Sequence, residues 1–378
     1  MPHGSFQIGS KYRSELIVPD AQGMWAKGLD DKWRHLTKIA VDPNAFFGPE
    51  VLLPALEHLK GDQDIRIFKL WHGDALVGLM PLGPERFSRA KLPSISAWLH
   101  DQAFLGTPLV APGAEAAFWE KLCYEAARPW WGGVLRIGRA NYEGKVMSAL
   151  LQYTKDAGMG LSVLRTFERA FLDTPTDCLA YQTQHIRGKK RKEWRRQRRR
   201  LAEIGNLTFS TSDTRTDVDS LIDDFLTLEA KGWKGRARTA LAQDTSERAF
   251  FVDAIRSSAA SGNLLVTTLR LDDTPIGMLI FFRAGSGSYS FKTCFDEDFS
   301  AYSPGVLVQL GSIEALSKAG VDWCDSCASK AHPMINALWA ERVAIGDVLV
   351  ALPGPTRQAY FKAIDLGERA YKKWKKDE

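Results

Sequence analysis

Three side chains stand where they could move a proton. His332 precedes Pro333, which we expect to open a helix, and a helix N-terminus lowers the pKa of a histidine and favours its neutral form. Glu229 lies at the edge of an apolar helical stripe, where partial desolvation would raise the pKa of a carboxylate. Asp325 ends a strand and could orient His332 or bind an amine. These are the predicted catalytic groups, although a helix cap, a solvated carboxylate and a turn residue are the competing structural interpretations.

A second candidate is a phosphate-binding helix start. Five residues form it, and they are predicted to bind the cofactor: Tyr302, Ser303, Pro304, Gly305 and Val306. The serine hydroxyl can accept a hydrogen bond from an N–H group of the first turn, and proline suits the first helical position. Free N–H groups and the positive end of the helix dipole can then hold a phosphate without a basic side chain.

The elements around this helix predict how the site is built. An apolar run over 289–295 precedes the helix, which ends at Gly320, and a second run follows over 321–325. The pattern is strand, loop, helix, strand, so the helix N-terminus lies at the carboxyl end of the first strand. Because strand side chains alternate, we expect either Tyr289 or Lys292 to face the ligand. Trp233 and Lys234 are predicted to lie in a substrate loop after Glu229.

Positive charge is concentrated in one segment. The chain has a net charge of +5, but Lys189 to Arg200 alone holds nine basic residues and one acid, so the rest is net negative. Trp194, Leu201 and Ile204 recur at helical spacing and predict one amphipathic helix over 187–204. Such a helix is usually a solvated face, but its self-repulsion favours an anionic partner. The candidates are an anionic membrane surface, the 3′-phosphate of coenzyme A and RNA. Within this segment only Trp194 could stack on a base, so nucleic acid is the least favoured.

Composition limits the class of protein. With 45% hydrophobic and 25% charged residues among 378, the chain is typical of a globular protein with two domains. No apolar run is long enough to span a membrane and no signal peptide pattern is present, which indicates a cytoplasmic protein, with peripheral association at the inner face of the cytoplasmic membrane as an option. Five scattered cysteines indicate reduced thiols. Cys324, Cys327 and His332 lack a zinc spacing, so no metal site is predicted.

The two halves of the chain share one order of elements. FKLWHGDALVGLMPL, which starts at Phe68, and TTLRLDDTPIGMLIF, which starts at Thr267, each give a strand, a polar turn and a second strand. Helical patterns precede both hairpins. We therefore predict one duplicated α/β (α+β) unit, with a degenerate N-terminal domain over 1–174 and a C-terminal domain with the ligand cleft over 175–378.

These pieces resemble a known superfamily. The meander, the Ser-Pro-Gly helix and the following strand resemble GNAT (Gcn5-related N-acetyltransferase) proteins. The stretches LEAKGWKG, FKTCFDEDFSAYSPG and KAGVDWCDS resemble, more narrowly, the tandem-domain CelD-like acetyltransferases, relatives of the Fem aminoacyltransferases. The usual phosphate loop, R/Q-x-x-G-x-G/A, is replaced by Tyr302-Ser303-Pro304-Gly305. Trp339 stands in the segment where many GNAT enzymes carry a tyrosine acid, and it is predicted to contact substrate.

The resemblance implies a fold and an activity. Each domain would be a mixed, mainly antiparallel sheet flanked by helices, with acyl-CoA between the strands over 289–295 and 321–325. The implied enzyme is an acyl-CoA-dependent N-acyltransferase acting by direct attack on the amine of a cell-envelope component, either an amino sugar of a polysaccharide or an amino lipid such as a sphingoid base. A Fem-like aminoacyl-tRNA-dependent transferase and a non-catalytic binding module are the alternatives.

Overall fold

Short runs of strands and helices follow one another along the described chain. The computed structural model describes residues 11–20, 24–87, 91–127, 132–212 and 217–377, with side chains described up to residue 370. The strands are β1 (Tyr12–Ile17), β2 (Arg66–His72), β3 (Ala75–Phe87), β4 (Leu92–Ala97), β5 (Leu109–Val110), β6 (Val134–Asn141), β7 (Leu161–Asp173), β8 (Leu207–Ser212), β9 (Leu264–Leu271), β10 (Thr274–Ala284), β11 (Gly287–Phe295), β12 (Trp323–Asp325) and β13 (Glu341–Ala351).

Eleven α-helices are described, and several are amphipathic. They are α1 (Asp30–Ile39), α2 (Pro49–His58), α3 (Glu115–Ala126), α4 (Lys145–Asp156), α5 (Cys178–His185), α6 (Gly188–Ala202), α7 (Val218–Lys231), α8 (Trp233–Arg236), α9 (Thr245–Ala260), α10 (Pro304–Lys318) and α11 (Pro355–Asp377). Short 3-10 helices occupy Met24–Ala26, Ala45–Phe47, Leu241–Gln243, Glu297–Tyr302 and Ile335–Ala337. Asp177 and Asp244 cap α5 and α9, because their carboxylates accept hydrogen bonds from first-turn N–H groups.

The chain forms two compact units. The first consists of Met1–Pro49, Lys60–Phe167 and Ala344–Glu378, and the second of Glu50–Leu59 and Glu168–Val343. The strands of the first unit follow the order β1-β2-β3-β4-β6-β13-β7, with β5 paired to β3. β4 and β6 are parallel, whereas β1–β2, β2–β3, β3–β4 and β6–β13 are antiparallel.

The second unit repeats this plan. Its strands follow the order β7-β12-β11-β10-β9-β8, in which only the β11–β12 pair is parallel. A meander of three strands, β9-β10-β11, leads through α10 to β12, as β2-β3-β4 leads through α3 to β6 in the first unit. Gly73 and Gly285, at φ +57° in both, form the turns of the β2–β3 and β10–β11 hairpins. The predicted duplication and fold class, two GNAT-like domains with mixed sheets flanked by helices, are confirmed.

The predicted domain boundary lies between residues 174 and 175, but the two compact units are divided differently. β7 contributes its residues up to Phe167 to the first unit and the rest to the second. The segment from Ala344 onwards belongs to the first unit, because β13 pairs with β6 between Ile345 and Ala351. A pairing between segments two hundred residues apart leaves no local sequence signal.

The segment after β12 does not form the predicted helix. Pro333 to Arg342 was expected to be helical, but only the single 3-10 turn Ile335–Ala337 forms before β13 begins at Glu341. Ile335, Leu338 and Trp339 are buried in the core of the second unit. Their burial, rather than local helix propensity, decides the conformation of the segment.

Candidate active site

In the second unit, β11 and β12 pair over a short stretch and then separate, and we call this divergence the fork. The two strands pair in parallel at only three positions, where Gly287, Ser288 and Tyr289 face Trp323, Cys324 and Asp325. β12 then ends, whereas β11 continues to Phe295 paired only with β10 among the described strands. The far edge of β11 from Ser290 to Phe295 therefore lacks a strand partner. This is the predicted cleft between the two strands.

A buried ion pair closes the base of the fork. Asp325 Oδ2 lies 2.6 Å from Arg169 Nη2, and both side chains are at least 95% buried. Asp325 Oδ1 also accepts a hydrogen bond from the Cys327 N–H at 2.9 Å. Although burial opposes it, the negative charge of Asp325 raises the pKa of Arg169, so the guanidinium stays charged. Asp325 is thus bonded to Arg169 and Cys327 and not, as one expectation had it, to His332.

A β-bulge changes which side chains of β11 share a face. Ile280 pairs with Lys292 and Phe281 pairs with Ser290, so Phe291 is an extra residue. Phe291 packs on Phe282, with ring centroids 4.6 Å apart, and the ammonium of Lys292 lies 5.4 Å from the Phe291 ring. In a regular strand the side chains at positions 289 and 292 would point to opposite faces of the sheet. The extra residue of the bulge places both side chains on the same face. Tyr289 is buried and Lys292 is half-exposed, so Lys292 is the accessible member of this predicted pair.

Glu229 is buried at the C-terminal end of α7. Its Oε1 accepts a hydrogen bond from Lys234 Nζ at 2.6 Å and its Oε2 accepts one from the Leu241 N–H at 2.8 Å. Glu229, Trp233 and Lys234 line one small cavity of about 30 Å³ together with Thr293, Cys294 and Phe295 of β11. A cavity of this size holds about one water molecule. The predicted base and the predicted substrate loop therefore meet at the open end of β11.

Acidic residues after β11 hold the substrate loop in place. Lys231 Nζ lies 2.7 Å from Asp296 and 2.6 Å from Asp298, and these bonds raise the pKa of Lys231. Glu297 accepts a hydrogen bond from the Trp233 N–H at 2.7 Å and pairs with Arg236. The indole of Trp233 itself is 57% exposed, which leaves it available to a ligand.

The start of α10 differs from the predicted cap. Ser303 occupies the cap position, but it is left-handed, with φ +53° and ψ +53°, and its side chain makes no capping hydrogen bond. The prediction that its hydroxyl caps the helix is wrong, because a capping side chain needs an extended backbone. Instead the Ser303 carbonyl accepts the N–H groups of Val306 at 2.9 Å and Leu307 at 3.1 Å. Pro304 has no N–H group, so Gly305 is the first-turn donor that remains available to a phosphate.

The basic helix α6 lies against this helix start. Gln197 donates a hydrogen bond to the Ala301 carbonyl at 3.2 Å, and the Arg200 guanidinium lies 6.0 Å from the Tyr302 ring. The predicted seam of α6 is partly correct: Trp194 and Leu201 are buried, but the helix ends at Ala202 and Ile204 is 54% exposed. The positive face of α6 therefore lies beside the N-terminus of α10.

His332 and Trp339 occupy other positions than expected. His332 lies in a turn and not at the N-terminus of an α-helix, and its Nδ1 accepts a long hydrogen bond of 3.4 Å from the Ile335 N–H. A neutral ring that accepts at Nδ1 carries its hydrogen on Nε2 and presents a donor there. Trp339 is 1% exposed and belongs to the core, which places its side chain away from a solvent-accessible substrate surface.

The corresponding fork in the first unit is filled by its own chain. β4 and β6 pair in parallel only at Ile95 and Ser96, and the segment 105–107 lies beside β6 farther along. Gly106 N–H donates to the Arg139 carbonyl at 3.0 Å, and the Thr107 hydroxyl accepts a hydrogen bond from the Asn141 N–H at 2.9 Å.

Two residues at the fork have no signal in the local sequence pattern. Arg169 and Gln309, whose Nε2 lies 3.5 Å from Thr293 Oγ1, reach the fork from a strand and a helix distant in sequence. The ion pairs of Asp296, Glu297 and Asp298 with Lys231 and Arg236 do have a sequence signal, because an acidic run and a basic segment both lie near the predicted site.

Comparisons with known proteins agree with this geometry. Residues 188–332 match the acetyltransferase (GNAT) domain family model. The structure of FemX superimposes with a TM-score of 0.60 at 10% identity, covering 93% of this chain and 99% of FemX. A conserved protein of unknown function from Bacteroides thetaiotaomicron gives 0.54 at 11% identity, covering 86% and 97% of the two chains. The C-terminal (DUF2156) domain of a proposed lysylphosphatidylglycerol synthetase from Agrobacterium fabrum gives 0.53 at 13% identity, covering 89% and 95%.

The fold is that of a GNAT-type acyltransferase. Residues 188–332 match the GNAT acetyltransferase domain model, and 93% of the chain shares its fold with FemX. The predicted resemblance to GNAT proteins and to Fem relatives is confirmed at this level. No curated protein sequence matches the chain. Among the described helices, none combines the length and the apolar character needed to cross a bilayer.

Proposed function

We propose that the protein is an acyl-CoA-dependent N-acyltransferase whose donor binds in the β11–β12 fork. The observation that carries the proposal is the unpartnered edge of β11 from Ser290 to Phe295, which is next to the start of α10. The pantetheine arm of coenzyme A carries two amide groups, and an extended amide chain can bind a strand edge by main-chain hydrogen bonds.

Two features would hold the phosphates of the donor. The N-terminus of α10 supplies the Gly305 N–H group and the positive end of the helix dipole. Since Pro304, Val306 and Leu307 offer no free N–H group, most of the positive charge must come from elsewhere. The guanidinium of Arg200, which lies above the Tyr302 ring, can supply it.

The protonation state of the cysteines near the fork favours direct attack of the amine over a mechanism with an acyl-cysteine intermediate. Burial raises the pKa of Cys294, Cys324 and Cys327, so these thiols stay protonated and are poor nucleophiles. The amine nitrogen attacks the thioester carbonyl, the carbon–sulfur bond breaks, and the departing thiolate takes up a proton. No acyl group is transferred to the protein in this scheme.

The described side chains can share the proton transfers. Glu229 would accept the proton of the acceptor amine through the water-sized cavity, after Lys234 releases one carboxylate oxygen. His332, which presents Nε2–H, suits a hydrogen bond to the developing oxyanion or a proton for the thiolate. Lys292, Trp233 and Lys234 would contact the acceptor, while Tyr289 and Asp325 shape the base of the fork.

For the acceptor, we propose the amine of a cell-envelope component, an amino sugar or an amino lipid such as a sphingoid base. The basic face of α6 supports a location at the inner face of the cytoplasmic membrane, since each lysine or arginine near an anionic surface contributes about 1 kcal/mol. A neighbour in fold named for lysylphosphatidylglycerol synthesis is consistent with a lipid acceptor.

A second candidate is an aminoacyl-tRNA-dependent transferase. The exposed arginines of α6 favour it, because a polyanion binds such a helix strongly. The same chemistry at the fork would then use an aminoacyl ester in place of a thioester.

Thermal stabilisation separates these functions. The protein is mixed in parallel with acetyl-CoA, palmitoyl-CoA, aminoacyl-tRNA and deacylated tRNA, and the unfolding temperature is measured. Under the main proposal a CoA ester raises it and the tRNAs do not. The preferred acyl length then separates short-chain from long-chain transfer. If neither CoA ester stabilises the protein, the main proposal is wrong.

The catalytic roles are tested by thiol release with an amine acceptor. Glu229→Gln and His332→Ala should each slow the reaction by about 100-fold or more, as expected for general acid–base groups. Glu314→Gln is the matched control, because Glu314 is an exposed carboxylate of the same unit that pairs with Lys318. Wild-type rates in both test variants would contradict the assignment.

A further inference from the structure

A pocket of about 370 Å³ lies apart from the fork, between α6, α10 and β8. Its volume is in the range of small-molecule sites. The floor is formed by the buried side chains of Trp194, Leu269 and Leu307. Leu179 and Phe209 line the pocket with 75% and 37% of their surface exposed, so they stand at its mouth. The interior is thus suited to an aliphatic chain.

Arginines surround the mouth of this pocket. Arg191, Arg195 and Arg198 recur at helical spacing and line it along one side of α6. Arg191 Nε is buried and has no hydrogen-bond partner within the described part of the chain. The lining contains one carboxylate, Glu314, which is paired with Lys318 at 2.6 Å. None of the described carboxylates forms an ion pair with the three arginines.

One wall of the pocket depends on a close contact. A Cβ atom at Gly311 would lie 2.2 Å from the ring of Phe209, so the aromatic ring lies directly on the backbone of α10. This contact holds an exposed phenylalanine at the mouth, where it can cover the chain of a ligand. A solvated charged surface would need neither this ring nor an apolar floor.

We propose that this pocket binds an anionic amphiphile, with one aliphatic chain on the Trp194 floor and a phosphate or carboxylate held by Arg191, Arg195 and Arg198. Arg191, Arg195 and Arg198 precede Arg200, the residue assigned to the acyl donor, by nine, five and two residues of α6. At about 100° per residue, Arg198 and Arg200 lie on nearly opposite sides of the helix. Ligand binding in this pocket does not depend on the proposed acyltransferase reaction, and it would give the protein a second binding site. The ligand is either a monomeric amphiphile or a lipid within a bilayer, because both present the same chain and headgroup.

The test uses the full chain and dodecyl phosphate below its micelle concentration, with binding measured by isothermal titration calorimetry. Saturable binding at one site is expected. Octyl phosphate should bind about 100-fold more weakly, because each buried methylene group contributes to affinity. Inorganic phosphate and dodecyl maltoside should bind much more weakly still. Equal binding of inorganic phosphate, or no saturable binding of dodecyl phosphate, would overturn the proposal.

Two variants with the same charge change locate the site. Arg195→Gln with Arg198→Gln removes two positive charges from the mouth, and Arg196→Gln with Arg199→Gln removes two from the outer face of the same helix. The first pair should weaken dodecyl phosphate by about 30-fold or more, at about fivefold for each charge, and the second pair should change it by much less. Equal losses would show nonspecific attraction to α6 and overturn the proposal.

A third variant controls for misfolding, and competition with coenzyme A tests whether the pocket overlaps the donor site. Thr183→Trp places a ring in the mouth from an exposed position on α5, and it should abolish binding without a change in circular dichroism. If coenzyme A displaces dodecyl phosphate competitively, the pocket is part of the donor site and the proposal is wrong. Sedimentation with vesicles of phosphatidylcholine, with and without phosphatidylglycerol, distinguishes a bilayer lipid from a monomeric ligand.

Discussion

Asp325 offers a decisive separation of structural and chemical roles. Its carboxylate and the guanidinium of Arg169 are 2.6 Å apart and almost fully buried. Removing one partner of such a pair leaves an uncompensated buried charge, which costs about 3–5 kcal/mol. We therefore expect Asp325→Asn to lower the free energy of unfolding by about that amount, which is a large fraction of the typical stability of a domain.

A second substitution should reverse most of this loss. In Arg169→Met with Asp325→Leu both charges are replaced by apolar side chains, a change that is often neutral or stabilising. The assay is urea denaturation followed by far-UV circular dichroism. If two transitions are resolved, the one that shifts belongs to the second unit, which contains both residues.

Activity completes the experiment. The double variant lacks the carboxylate of Asp325 but keeps the fold, so its rate of thiol release separates catalysis from stability. A stable double variant with near wild-type activity would assign Asp325 a structural role. A loss of less than about 1 kcal/mol in Asp325→Asn, as for an exposed pair, would refute the reasoning from burial.

Three further outcomes follow from local geometry. Ser303→Ala should change the stability by less than about 0.5 kcal/mol, whereas Asp244→Ala, which removes a capping bond, should cost about 1 kcal/mol in the same denaturation assay. Burial, assisted by the charge of Arg139, lowers the pKa of His100 to about 3. Between pH about 6.5 and about 3 the unfolded chain binds a proton at His100 that the folded chain does not, so this residue lowers stability by about 1.4 kcal/mol per pH unit as the pH falls. His100→Phe should remove this contribution from the pH profile of unfolding. Gly106→Ala should cost about 1–3 kcal/mol, because its Cβ would lie 2.1 Å from the Gly138 carbonyl oxygen; an unchanged midpoint would contradict the filled fork.

Local patterns predicted much of the fold. The paired hairpins, the helix that begins at Pro304 and the basic helix before residue 202 all follow from hydrophobic periodicity and turn residues. These signals are local, since they depend on neighbours within a few residues. The duplication could be predicted for the same reason, because similar local patterns recur in both halves of the chain.

The site was less predictable, because its contacts join distant residues. Arg169 and Asp325 are 156 positions apart, and nothing near either residue indicates the other. Trp339 was expected at the cleft because it lies after β12, but core packing took its side chain inward. The bulge at Phe291 moved Lys292 to the face of Tyr289, an effect that simple alternation cannot anticipate. The roles of Glu229 and His332 stay predictions, although the contacts of Glu229 with Lys234 and Leu241 are now defined.

The segment that fills the first fork also shows what such a fork can bind. Gly106 and Thr107 lie beside β6: the Gly106 N–H donates to the Arg139 carbonyl, and the side-chain hydroxyl of Thr107 accepts from the Asn141 N–H. The first unit thus contains, as part of its own chain, a covalently attached occupant in the place that its duplicate leaves open. A synthetic peptide that contains this Gly-Thr pair, and so offers the same N–H donor and hydroxyl acceptor, is a rational starting point for an inhibitor of the second unit.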